Sequence, residues 1–153
     1  MRILICDDDP LAIEQINKNL EYFFTYKHIK YPEIISFTNG EALLKDTGDK
    51  NIVFLDIEMP GMNGIELCRA IKGDPRLRHI PVIFLTAEVS PQFKADAALA
   101  GADDYLGKPV YMDFLVSSIE NQLRNGYVSE TIRNIGETEP SNLVYTKADE
   151  SFL

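Results

Sequence analysis

Six polar residues stand at or just beyond the ends of short apolar runs. Asp7, Asp8 and Asp9 follow Ile3 to Cys6, Asp56 follows Ile52 to Leu55, Thr86 follows Val82 to Leu85, and Lys108 comes after Tyr105, Leu106 and Gly107. Carboxylates gathered within a few ångströms repel one another, and partial burial makes ionising all of them costly unless a cation is supplied. Oxygen ligands without thiolate or imidazole select a hard ion, and one or two carboxylates completed by water suit Mg²⁺. Lys108, a point charge, and Thr86, a hydroxyl donor, would lie on the opposite side of Asp56, where they suit a phosphoryl group with its charged oxygens. The chemistry these residues favour is phosphoryl transfer to Asp56 as nucleophile. Taken singly, each reads as a helix cap, a loop carboxylate or a rim threonine. Their combination is what points to a site.

Elements that alternate along the chain must bring these residues together. Ile3 to Cys6, Ile34 to Phe37, Ile52 to Leu55 and Val82 to Leu85 are β-rich runs about a helix apart, with a weaker fifth run at Tyr105 to Leu106. That spacing predicts βαβ units and a parallel sheet, and the unbroken apolar runs predict strands covered on both faces. Asp9 and Pro10 start a first helix with Ile13, Ile16, Leu20 and Phe23 on one stripe. Asn39 caps a second through Glu41 to Lys45, Leu67, Cys68 and Ile71 line a third, and Ser90 with Pro91 opens a fourth that Gly101 ends. Met112, Leu115, Ile119 and Leu123 mark a fifth, expected to stop at Gly126. In an open parallel sheet, ligands bind beyond the carboxyl ends of the strands, and all six polar residues fall at that edge.

At 153 residues the chain is long enough for one domain of about 100 to 200 residues with a short appendage. The expectation is a domain over 1–125 and an extension over 126–153 of unknown role, either short helix or tail, with Val128, Ile132 and Ile135 as a helical pattern closed by Gly136 and Leu143 to Tyr145 as an extended piece. Hydrophobic residues at 45% and charged residues at 25% describe an ordinary packed domain. No apolar run reaches the roughly 18 residues of a bilayer span, so the expectation is a cytoplasmic protein without membrane attachment. Cys6 and Cys68 lack metal-ligand spacing and fit a reducing compartment. A net charge of −9 argues against direct nucleic-acid binding.

Four ordered motifs, ILICDDDP at 3–10, FLDIEMPGMNG at 54–64, VIFLTA at 82–87 and GADDYLGKP at 101–109, closely resemble the receiver domain of two-component response regulators, of the stand-alone type. The resemblance covers about residues 1–125. It implies a doubly wound α/β fold: a five-stranded parallel sheet in the flavodoxin-like order 2-1-3-4-5, with five helices. It further implies that Asp56 accepts the phosphoryl group and that Asp8 ligates Mg²⁺ directly, with Asp7 holding metal-bound water and the Glu58 carbonyl completing the protein's share. Thr86 would follow the phosphoryl group, Lys108 would bind one of its oxygens, and Tyr105 would be the switch aromatic. The Lys108–Pro109 bond is expected to be cis. Such a protein is a signalling switch that catalyses its own phosphorylation and dephosphorylation, and is not a conventional enzyme.

The implied phosphodonor is a sensor histidine kinase or a histidine phosphotransfer protein. Output is expected from another chain, through a face of fourth helix, fifth strand and fifth helix that in this family docks a partner or another copy. Cys6 and Gly107 depart slightly from the family pattern without removing a functional group. Two rival readings remain. A haloacid dehalogenase-type phosphatase would use Asp7, since an apolar strand followed by Asp-x-Asp also fits that family; but the lysine follows the late acidic pair instead of preceding it, and Asp56 would be unexplained. The other is a receiver-like interaction module that no longer accepts phosphate.

Overall fold

The computed structural model describes residues 1–133, with side chains to Arg124. Five strands, β1 (Arg2–Cys6), β2 (Glu33–Phe37), β3 (Ile52–Asp56), β4 (Val82–Thr86) and β5 (Asp104–Gly107), alternate with α1 (Pro10–Tyr26), α2 (Gly40–Lys45), α3 (Gly64–Gly73), α4 (Pro91–Ala100) and α5 (Met112–Arg133). The sheet is parallel throughout, in the order β2-β1-β3-β4-β5. Met1–Met112 makes one compact unit, and α5 beyond Met112 belongs to a second. Among the described residues no helix is long and apolar enough to cross a membrane.

The three inner strands are the apolar runs with every residue from Ile3, Ile52 and Val82 onward buried, whereas the edge strands β2 and β5 are only partly covered. The path steps one way from β1 to β2 and the other way from β2 to β5. Right-handed crossovers therefore put α1 on one face of the sheet and α2, α3 and α4 on the other. On that second face Leu4, Cys6, Val53, Leu55, Val82 and Phe84 pack with Leu43, Leu67, Cys68, Ile71, Phe93 and Ala97.

The helix starts follow the side chains expected to make them. Asp9, Asn39 and Ser90 accept from the backbone N–H groups of Leu11, Ala42 and Phe93, satisfying donors that an α-helix leaves orphaned. Asn63 does the same for Glu66, opening α3. Gly101 ends α4 with φ of 89°, a left-handed cap that glycine adopts without steric cost. Gly126 does not end α5, which continues to Arg133. A glycine inside a helix costs about 1 kcal/mol relative to alanine, too little to stop a helix that its neighbours extend. The expectations for Ile135, Gly136, Leu143 to Tyr145 and the rest of 134–153 lie outside the described residues.

The edge of the sheet opposite the polar rim is tied by charge. Arg2 grips Asp46 with two donors, at 2.6 and 2.8 Å, and Lys50 Nζ reaches the same carboxylate at 3.0 Å. The Arg2 hydrogen bonds, helped by Lys50, outweigh burial and hold the Asp46 carboxyl well below the usual carboxylate range. Below about pH 4 the unfolded chain takes up a proton at this residue that the folded chain refuses, so its contribution is complete above that value and fades as pH falls. Asp46→Asn is expected to cost about 1–3 kcal/mol at pH 7 and to flatten the acid limb of stability. Urea unfolding of both proteins between pH 7 and pH 3 checks this.

Candidate functional site

Strand register assembles the site. Cys6 of β1 lies beside Leu55 of β3, so the residues that follow them, Asp7 and Asp56, emerge side by side. Thr86 of β4 lies beside Gly107 of β5, which brings Lys108 to the next rung. The Lys108 N–H donates to the Thr86 carbonyl at 2.6 Å, fastening the loop after β5 to the end of β4. The Lys108–Pro109 bond is cis.

Lys108 Nζ donates to Asp7 Oδ2 at 2.8 Å and to Asp56 Oδ1 at 2.9 Å. The ammonium lies between the two carboxylates rather than across Asp56 from them, as expected from sequence, because two like charges in a partly buried setting both gain from one shared cation. Asp7 is 0% exposed, and its Oδ1 accepts from the Asp9 N–H at 2.9 Å. Asp56 is 9% exposed and Asp8 is exposed. Burial raises the Asp56 carboxyl above its ordinary range; the Lys108 hydrogen bond works against this and the Asp7 charge adds to it. For Lys108, burial pulls downward, but the hydrogen bonds to Asp7 and Asp56 prevail and raise it.

One oxygen from each of Asp7, Asp8 and Asp56 can be chosen so that all three lie within 4.8 Å of one another. Three carboxylates from two neighbouring strand ends, one of them open to solvent, form a donor set that fits a hard divalent cation keeping part of its water shell. Glu58, expected to lend its carbonyl, is exposed in the turn after β3. That turn is shaped by glycine. Gly61 has φ of 76°, and any Cβ on Gly64 would overlap the Asp56 carbonyl oxygen, so α3 starts directly against the end of β3.

Thr86 is buried at the rim, but its hydroxyl is occupied locally: it donates to the Glu88 carbonyl at 2.8 Å and accepts from the Glu88 N–H at 3.1 Å. Tyr105 is 36% exposed, and its ring meets Phe93 of α4 edge-on at 5.6 Å, which in turn meets Phe84 of β4 at 5.9 Å. Beneath the site Cys6 Sγ contacts Met59 Sδ at 3.5 Å, and burial first, then the nearby carboxylates, push the thiol up to about 12, the setting of an inert packing residue. Sequence patterning offered no sign of Asn19, whose amide donates to the Val110 carbonyl at 3.3 Å across 91 residues of chain. Asn19 lies between stripe residues of an amphipathic helix, where polar side chains are ordinary.

Comparison with known proteins places these features in a family. The description "Response regulator receiver domain" matches residues 3–120. The chain is similar to the heme response regulator HssR of Staphylococcus epidermidis, 40% identical over 123 residues, covering 79% of this chain and 50% of that protein. It is also similar to the chemotaxis protein CheY of Pseudomonas aeruginosa, 36% identical over 122 residues, covering 78% of this chain and 94% of that one. Among solved structures, a CheY-like receiver domain protein of Methanospirillum hungatei superposes with a TM-score of 0.67 at 30% identity, covering 81% and 94% of the two chains. The chain spans about half the length of the two Staphylococcus epidermidis HssR relatives.

A raised folded-state carboxyl binds its proton more tightly than the unfolded chain does, so Asp56 favours folding in acid and opposes it as pH rises through its titration. Asp56→Asn is therefore expected to raise the melting temperature at pH 7 in the presence of chelator. Mg²⁺ at millimolar concentration should raise that of the unsubstituted protein and have a much smaller effect on the variant. Thermal melts with and without Mg²⁺ test both statements.

Proposed function

Because this chain belongs to the response regulator receiver domain family, we propose that it takes a phosphoryl group from a phosphohistidine donor onto Asp56 and uses the modified site to alter a partner-binding surface. The observation that carries this reading is the Lys108 ammonium shared between Asp7 and Asp56 at the carboxyl edge of the sheet. Asp56 keeps some exposure for an incoming group. Asp7 keeps none, and both its oxygens are hydrogen-bonded, which speaks against the phosphatase reading with Asp7 as nucleophile.

Asp8 and Asp56 would hold Mg²⁺ directly, Asp7 through water, with the Glu58 carbonyl completing the protein's share. Bound there, the ion supplies counter-charge to the acceptor carboxylate and the anionic donor. An Asp56 oxygen forms its bond to phosphorus as the phosphorus–nitrogen bond to the donor imidazole breaks, and the imidazole leaves with that electron pair. Lys108 keeps Asp7 and turns from the Asp56 carboxylate toward a phosphoryl oxygen, stabilising the charge on it. Little covalent work remains for the protein, so positioning and electrostatics carry the rate.

Thr86 is the second phosphoryl partner in this reading. Its present bonds are neutral and local, and exchanging them for a charge-assisted bond to a phosphoryl oxygen is favourable. That exchange would reshape the Thr86–Glu88 turn, and the ring contacts from Phe84 through Phe93 to Tyr105 link it to α4 and β5. The phosphodonor is a sensor histidine kinase or a histidine phosphotransfer protein, and the altered surface serves a downstream effector or a second copy of the chain.

Incubation with acetyl phosphate and Mg²⁺ should label the chain at Asp56. Asp56→Asn should abolish labelling, and Lys108→Ala should slow it by about 10²–10³-fold, as expected for loss of one preorganised charge donor. Labelling that survives Asp56→Asn and vanishes in Asp7→Asn would favour the phosphatase. No labelling from either acetyl phosphate or a phosphorylated kinase would favour an unphosphorylated interaction module. Hydrogen exchange across residues 86–112 should differ between labelled and unlabelled protein, and identical exchange would remove the proposed link from Thr86 to Tyr105.

A further inference from the structure

Lys108 is the one described side chain that bonds two members of the acidic cluster, so its reach depends on how its own backbone is fixed. Before the side chain, the Lys108 N–H is held by the Thr86 carbonyl. After it comes Pro109, which has no N–H to give. Val110 is next, and its carbonyl accepts from the Asn19 amide of α1. A carbonyl can only accept, so this contact settles which end of the Asn19 amide faces it.

The stretch beyond Lys108 is itself packed, since Val110 is only 4% exposed. An open cleft of about 230 Å³ lies between the start of α1 and the Lys108 loop, lined by Asp9, Leu11, Gln15, Lys108 and Val110 among others. The Asn19 hydrogen bond ties helix to loop alongside that gap. The helix has a second attachment at its start, where Asp9 caps it and donates its own N–H to Asp7. From Asp9 to Asn19 is ten residues, or about 15 Å of helix. The helix, held by the buried face of Ile16, Leu20, Phe23 and Phe24, thus also bonds the acid cluster at its start and, at its third turn, the loop that carries the lysine.

We propose that Asn19 is a positioning residue for Lys108: its hydrogen bond to Val110 fixes the loop so that the ammonium reaches Asp7 and the phosphoryl group entering at Asp56. The inference rests on Asp56 as phosphoacceptor. A misplacement of about 1 Å in a positioned group can cost on the order of 10²-fold in rate, so a tether of this kind can matter without touching the reacting atoms.

The test is a double-mutant cycle on the full chain, with acetyl phosphate and Mg²⁺ as probe and phosphoryl incorporation as readout. Asn19→Ala is expected to slow incorporation about 5–10-fold. Asn19→Asp, which keeps the shape but turns an acceptor toward the Val110 carbonyl, should slow it at least as much, whereas Asn19→His, which keeps a ring N–H donor, should recover part of the rate. In the Lys108→Ala background Asn19→Ala should change nothing further. An equal slowing in both backgrounds would overturn the inference, because Asn19 would then act through the fold at large, and so would an unchanged rate in Asn19→Ala. If Asp56→Asn leaves incorporation intact, the phosphoacceptor reading fails and takes this one with it; if Asp56→Asn abolishes it while the cycle is additive, only the positioning role fails.

Discussion

Two carboxylates at the ends of neighbouring strands share one ammonium, and most of the molecule can be understood as the means of holding that arrangement. Asp7 and Asp56 would repel strongly at their depth if left to themselves. Lys108 offsets both, yet it arrives from β5, two places from β3 and three from β1 in the sheet. Its position therefore depends on β4 lying between β3 and β5, on the Thr86 carbonyl that receives its N–H, and on the chain beyond Pro109. The arrangement joins positions 101 residues apart in the sequence, so local structure alone does not make it.

The same dependence explains why the interior is so uniformly apolar. After Arg2, strands β1, β3 and β4 contribute no polar side chain until the rung at which the site begins. A slip of one residue in any of these strands would turn its side chains to the other face and displace the polar residue at its end, so the register that packs the core also positions the candidate site. Gly64 adds a local constraint of the same kind, since backbone of β3 occupies the space where a side chain would stand.

Much of this was readable beforehand. The apolar runs end within a residue of the observed strands, and Asp9, Asn39, Ser90 and Gly101 announced helix boundaries through local hydrogen-bonding chemistry that needs no distant partner. The gathering of Asp7, Asp8, Asp56 and Lys108 followed from knowing which edge of a parallel sheet collects strand ends. What sequence left open depended on three-dimensional detail. The local engagement of the Thr86 hydroxyl, the seat of Lys108 between two acids and the Asn19 tether each turn on side-chain geometry that spacing does not encode. Gly126 misled because an intrinsic cost of about 1 kcal/mol was read as a stop signal.

The helix starts have a wider electrical consequence. Because every strand runs the same way, α1, α2, α3 and α4 all begin at the rim where the acids sit, and each capped N-terminus presents a fractional positive pole there. A chain whose formal charge is −9 can thus offer an approaching anion a less hostile approach than its composition suggests. That softening belongs to the backbone, so it would persist through substitution of any single acid and weaken only as ionic strength screens it.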